Sequence, residues 1–138
     1  YNRISVYGDI LSNLLLEADF KFPEESILCP VPLHWSRKYW RGFNQAEVLA
    51  EKISSEINLP VINLLKRIRP TGFQSHRNRE ERLLALNGAF KYILENHPPA
   101  NIILIDDLAT TGATLDECAK VLKKVGARRV EGWVIAHG

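Results

Sequence analysis

The stretch "ILIDDLATTGAT", Ile103 to Thr114, decides how the rest of the chain is read. With Asn101 and Ile102 before it, its aliphatic half reads as a buried strand that ends on two adjacent acids, Asp106 and Asp107. Threonines and a glycine follow, and "TLDECAKVLKKVGA" then sets Leu115, Cys118, Ala119 and Leu122 on one helical face before Gly126 ends it. The sequence "RVEGWVIAHG" closes with a further strand. Upstream, "SILCPVP" reads as a short strand stopped by Pro30 and Pro32. After Gly42, "FNQAEVLAEKISSEI" places Ala46, Leu49, Ala50, Ile53 and Ile57 on one face of a helix. "VINLL" is another candidate strand. "KRIRPTGFQSHRNREER", polar, basic and interrupted by Pro70 and Gly72, is expected to be a mobile loop. Ile4, Tyr7, Ile10, Leu11, Leu14 and Leu15 recur at helical spacing, so the first ~18 residues read as an amphipathic helix. Strands alternating with helices predict an α/β fold with a mostly parallel open sheet flanked by helices.

Composition sets the frame. At 138 residues, 46% hydrophobic and 25% charged, the chain fits one domain over residues 1–138, with the first ~25 residues as an N-terminal helical segment. A net charge of +2 calls for no dominant polyanion partner. Cys29 and Cys118 form no motif and read as core thiols of a cytoplasmic protein. No apolar run approaches the roughly 18 residues of a membrane span, and the first residues lack the charged and apolar regions of a signal peptide, so no membrane insertion is expected. There is no methionine, even at position 1, and something is expected to precede Tyr1.

The acidic pair is expected at the carboxyl end of a parallel strand, where open α/β sheets bind ligands. Thr110, Thr111, Gly112, Ala113 and Thr114 form a hydroxyl-rich turn whose N–H groups and helix dipole suit a phosphate, and Gly112 lets the backbone come close. Ionised acids only accept hydrogen bonds, so they would repel that phosphate unless they faced a sugar diol of the same ligand. The composite is a ribose 5-phosphate. Neither G-x-x-x-x-G-K-[ST] nor G-x-G-x-x-G occurs, which disfavours a P-loop. The plain alternative is that the acids cap a helix and the threonines fill a turn.

This segment resembles the phosphoribosyl pyrophosphate (PRPP) motif of type I phosphoribosyltransferases. With "CPVPLHWSRKYWRGFNQAEVLA", "KRIRPTGFQSHRNREER", "NGAF" and "ARRVEGWVIA", the match from about Ile27 to Ala136 is similar to the ComF/GntX family of competence-associated, phosphoribosyltransferase-like proteins. The resemblance implies a type I phosphoribosyltransferase-like fold, with Asp106 and Asp107 on the ribose hydroxyls. Ala109 and Thr110 to Thr114 would take the 5-phosphate. "PVPLH", with Pro32, Leu33 and His34, would form the pyrophosphate loop, and Gln74 to Arg82, with Gln74, Arg77 and Arg82, the flexible loop. Mg2+ would arrive with PRPP and take no direct protein ligand. An Asn that the family places three positions after Arg82 is replaced by Ala85, with Asn87 two positions later. The family's N-terminal zinc ribbon has no counterpart in these residues and is expected upstream of Tyr1.

"HWSRKYWRGFNQ" mixes Arg37, Lys38 and Arg41 with Trp35, Tyr39, Trp40 and Phe43. Arg41 is a candidate to meet the departing pyrophosphate. The same mixture would also suit single-stranded DNA, or form a solvated basic face over packed aromatics. Arg77, Arg79 and Arg82 alternate with Glu80 and Glu81 as on an ordinary solvated helix face, a reading from which Arg77 and Arg82 are excepted as site candidates. His76, His97 and His137 read as surface or loop residues, and Trp133 as core. Thr110 stands where 6-oxopurine enzymes carry an Asp that handles the base, so purine salvage is not expected. Little sequence follows the last strand to build a base-recognising hood, to which the first helix is a candidate contributor. Three readings stay open: a transferase acting on an unidentified nucleobase or amine, a non-catalytic PRPP sensor, and a PRPP-binding DNA-uptake factor that meets DNA-uptake proteins.

Overall fold

The computed structural model describes residues 21–33, 43–69, 78–109 and 112–137. Through them run β1 (Ser26–Pro30), α1 (Gln45–Ile57), β2 (Leu65–Arg67), α2 (Arg79–Leu86), β3 (Phe90–Tyr92), β4 (Asn101–Ala109), α3 (Ala113–Lys124) and β5 (Arg129–His137). The helix expected at the amino terminus lies outside the described residues.

β4 is the middle strand of a parallel sheet ordered β1-β4-β5. Ile103 stands level with Leu28 on one side and Glu131 on the other. Successive side chains leave a strand on opposite faces, so four aliphatics in a row serve two cores. Ile103 and Ile105 join Leu28 against Leu49, Ala50 and Ile53 of α1. Ile102 and Leu104 join Ile27 and Cys29 against Cys118 and Leu122 of α3. Each such side chain fully removed from water contributes roughly 1.5–3 kcal/mol. The layers are therefore α1, sheet, then α3, and the α/β class with a mostly parallel sheet holds.

Beside α3 lies an antiparallel pair, β2 with β3, that completes the second core through Leu65 and Phe90. "VINLL" is only partly a strand. Val61 makes a single parallel bridge to Leu28, fixed by Leu28 N–H to the Pro60 carbonyl and Ile62 N–H to the Leu28 carbonyl, both 2.9 Å. The chain then leaves the main sheet for β2.

The expected loop over Gln74 to Arg82 needs correction at its carboxyl end. Residues from Arg79 form α2, because Asn78 accepts from Glu81 N–H at 2.8 Å while Glu81 accepts from Asn78 N–H at 3.2 Å. This reciprocal cap satisfies two N–H groups that a helix start otherwise leaves open, and Glu80 and Glu81 favour the dipole. Arg82 therefore stands on a helix. Gln74 and Arg77 lie outside the described residues.

Candidate functional site at the carboxyl end of the central strand

Asp106 and Asp107 follow the buried run Ile102 to Ile105 of β4, and both are half-buried. Asp107 N–H donates to Asp106 Oδ1 at 2.9 Å, which ties the first carboxylate to the backbone of the second. Burial pushes the Asp106 carboxyl up to about 7, helped by the hydrogen bond and negative charge of Asp107. The Asp107 backbone N–H and the positive charge of Arg67 pull the other way. Near neutrality Asp106 can thus hold or release a proton.

On one side of the acids runs the segment after β1. Val31 N–H donates to the Ile105 carbonyl at 2.9 Å, carrying the pairing past Pro30 to the residue just before Asp106. Asn44 fixes this segment from below: its Nδ2 donates to the Val31 carbonyl at 3.0 Å, and its Oδ1 accepts from Ala46 N–H at 3.1 Å. One buried amide therefore caps α1 and anchors the stretch that leads to Pro32 and Leu33, which are half-buried. Sequence reasoning passed over Asn44. An Asn followed three residues later by Glu47, ahead of an apolar run, was the available signal.

On the other side β4 ends at Ala109 and α3 begins at Ala113. Gly112 is the cap, with φ 77°, and supplies no side-chain hydrogen bond. A methyl group there would meet nothing within 4 Å, although the backbone angle alone disfavours any residue with a side chain. An α-helix start without a side-chain cap is a receptive place for an anion. Ala113 and Thr114 are half-buried in its first turn. The helix is seated closely on β5, for a Cβ at Gly132 would stand 3.1 Å from Leu115 Cδ1.

The chain thus brings Asp106, Asp107, Pro32, Leu33, Ala109 and the Gly112–Thr114 turn to one end of the sheet. His34, Arg41, Thr110 and Thr111 lie outside the described residues. Cys29 and Cys118 are fully buried, free thiols. Burial pushes Cys29 up to about 11 and Cys118 higher, so both are inert packing groups. Trp133 packs at the edge of the α1-side core, half-buried, with Phe22 at 5.7 Å between ring centroids. Arg67 was read as part of a basic loop, yet it is 8% exposed, with its guanidinium 4.8 Å from the Phe90 ring centroid. The buried–exposed–buried order of Leu65, Lys66 and Arg67 puts it on the inner face.

Among the described residues no three His, Cys, Asp or Glu side chains converge as a metal ligand set, and no helix is long and apolar enough to cross a membrane. A cavity of about 330 Å³ opens at the opposite, amino end of the strands, between Phe22, Ser26, Asn101 and Arg129. It contains neither acid, and the carboxyl end is where open α/β sheets place their ligands.

No family model matches the chain. It is 35% identical over 120 residues to "Competence protein F" of Haemophilus influenzae, covering 85% of this chain and 52% of that protein. It is 41% identical over 132 residues to "Competence protein ComFC" of Bacillus subtilis, covering 91% and 52%. Against "DNA utilization protein YhgH" of Salmonella typhi the identity is 34% over 145 residues, covering 99% and 63%. The chain therefore spans about half to three fifths of the length of these relatives. In structure it is similar to a hypoxanthine phosphoribosyltransferase from Staphylococcus aureus, with TM-score 0.53, 14% identity, and 95% of this chain and 61% of that one covered. It is also similar to TT1426 from Thermus thermophilus, with TM-score 0.52, 12% identity, and coverage of 98% and 83%. By sequence the chain is similar over most of its length to the competence proteins F and ComFC, and its fold is similar to that of a hypoxanthine phosphoribosyltransferase.

Proposed function

We propose that this chain binds PRPP, with Asp106 and Asp107 on the ribose hydroxyls and the turn through Thr110, Thr111, Gly112, Ala113 and Thr114 around the 5-phosphate. The observation that carries the reading is one of placement. Two half-buried acids stand near the carboxyl end of the central parallel strand, and the helix that follows starts on a glycine with no side-chain cap. Ionised carboxylates accept from hydroxyls, whereas backbone N–H groups at a helix start favour a phosphate, so the two halves suit the two ends of one sugar phosphate.

The pyrophosphate would lie along Pro32, Leu33 and His34, the segment that Asn44 anchors beside β4. Mg2+ would enter with PRPP and neutralise charge that develops on the departing pyrophosphate. The acids suit a ligand that brings its own counter-ion, since they accept hydroxyls without needing to be metal ligands. Arg41 and the loop residues Gln74, Arg77 and Arg82 are proposed to meet the pyrophosphate side. The chain's own part is to orient the ribose, keep the acids in one geometry and exclude water.

The relatives' names, competence and DNA utilization, support a place in DNA uptake, which we propose is served in the cytoplasm by PRPP binding with or without turnover. A transferase acting on a nucleobase or amine is the second reading, and single-stranded DNA a further partner. Calorimetry with PRPP, with and without Mg2+, followed by pyrophosphate release in the presence of candidate acceptors, separates them. Binding without release supports a sensor; release that depends on one acceptor supports the transferase. Binding of single-stranded DNA that weakens steeply with salt would support direct DNA contact. The absence of any PRPP binding would remove the proposal.

A further inference from the structure

We propose that Arg67 is the positioning residue of the acidic pair: carried on the β2–β3 hairpin outside the main sheet, it supplies the buried positive charge against which Asp106 is set. Leu65 and Phe90 of that hairpin share one core with Ile102, Leu104, Cys118 and Leu122. Strand alternation places Asp106 on the same face of β4 as Ile102 and Leu104. Arg67, opposite Phe90 in the hairpin, is buried on that side with its guanidinium over the Phe90 ring.

A guanidinium does not give up its proton, and a buried one needs negative charge nearby. Among the described residues the ionisable groups on this side come from five elements, one of them β3, whose Tyr92 hydroxyl donates to the Asn96 carbonyl at 2.9 Å. Cys29 of β1 and Cys118 of α3 are kept neutral by burial. Glu117 of α3, its side chain 12% exposed, is engaged 3.1 Å from Lys120 Nζ and accepts from Gly88 N–H at 3.3 Å. Among the described residues the acid that this face of β4 carries is Asp106, with Arg67 of β2 as the cation on the same side. Consistent with this, the charge of Arg67 lowers both Asp106 and Cys118, against a burial effect that raises them. The hairpin therefore bears on the site through charge. Its consequence for the ligand rests on the PRPP reading: by favouring the ionised Asp106, Arg67 keeps an acceptor available for a ribose hydroxyl.

Carboxyl carbon NMR of the full chain, with Asp106 assigned through Asp106→Asn, measures the coupling without any ligand. In Arg67→Met the Asp106 midpoint should rise by about one pH unit, the scale of a nearby charge. In Arg67→Lys it should stay close to the native value. Phe90→Leu removes the ring but keeps the cation, so it too should titrate like the native protein. An unmoved midpoint in Arg67→Met, or an equal rise in Phe90→Leu, would overturn the proposal. Should Arg67→Met not fold, Arg67→Gln set against Arg67→Lys gives the same contrast, and equal midpoints there would overturn it. PRPP calorimetry at pH 6 and pH 8 is read separately, and the Arg67→Met deficit should be larger at pH 6. A raised midpoint in a protein that binds no PRPP would support the charge coupling and sink the ligand reading alone.

Discussion

Where β4 meets α1, Ile103 and Ile105 pack on Leu49, Ala50 and Ile53 in an aliphatic contact. Where the same strand meets α3 and the hairpin, Ile102 and Leu104 share their core with two thiols, and Arg67 is buried alongside on the hairpin. Both faces are equally dry, but only the second runs on into Asp106. Burial on the α1 face stabilises the sheet as far as Ile105, and by the same alternation Asp107 comes next on that face. On the α3 face it also raises the proton affinity of a carboxylate, and a buried cation opposes it. The difference teaches that one strand can be scaffold on one side and part of a tuned site on the other.

Leu49→Ala probes the scaffold face. It should destabilise the protein by about 2–4 kcal/mol in urea unfolding, as expected for emptying a fully buried site, while leaving the Asp106 titration in place. A shift of the midpoint comparable to that expected for Arg67→Met would mean that the two faces are not independent.

Asp106→Asn probes the other face. The folded value near 7 lies above the ordinary 3.8, so between those values the folded state keeps a proton that the unfolded chain has lost. Stability from this residue is therefore lost as pH rises through that window. The Asn variant escapes the loss and should be more stable than native by about 1–2 kcal/mol at pH 8, with little gain at pH 4, in thermal melts at the two pH values. A gain confined to pH 4 would reverse the sign and contradict the account.

Two smaller effects sharpen the contrast between packing and site. Asn44→Ala should cost about 1 kcal/mol through the lost cap and release the Val31 carbonyl, so hydrogen exchange should quicken at the Val31 and Leu33 amides. Gly132→Ala should cost less, about 0.5–1 kcal/mol, since Leu115 must give way by a few tenths of an ångström. Its first sign would be shifted amide resonances for Ala113 and Thr114.

The sequence made β4, α3 and the acidic pair legible because their signals are local: an aliphatic run, a polar turn and a helical repeat in unbroken order. Asn44 and Arg67 were missed because their roles depend on partners far along the chain, Val31 for one and Phe90 with Asp106 for the other. "KRIRP" looked like loop because lysine and arginine are expected outside, whereas the pairing of β2 with β3 turns Arg67 inward. α2 was hidden for a similar reason, since the charges that suggested a loop are those that cap a helix. Val61 carried a strand signal, but only one residue of that run found a place beside β1.

Asp107→Asn tests the central claim most directly, because it removes one charge from the acidic pair and keeps the shape of the side chain. Calorimetry of PRPP with Mg2+ on native and variant proteins, with folding checked by circular dichroism, should show affinity lower by about tenfold or more, the scale of a lost charge-assisted hydrogen bond. Equal affinity in a correctly folded Asp107→Asn would contradict it, and would leave the acids as no more than the end of a strand.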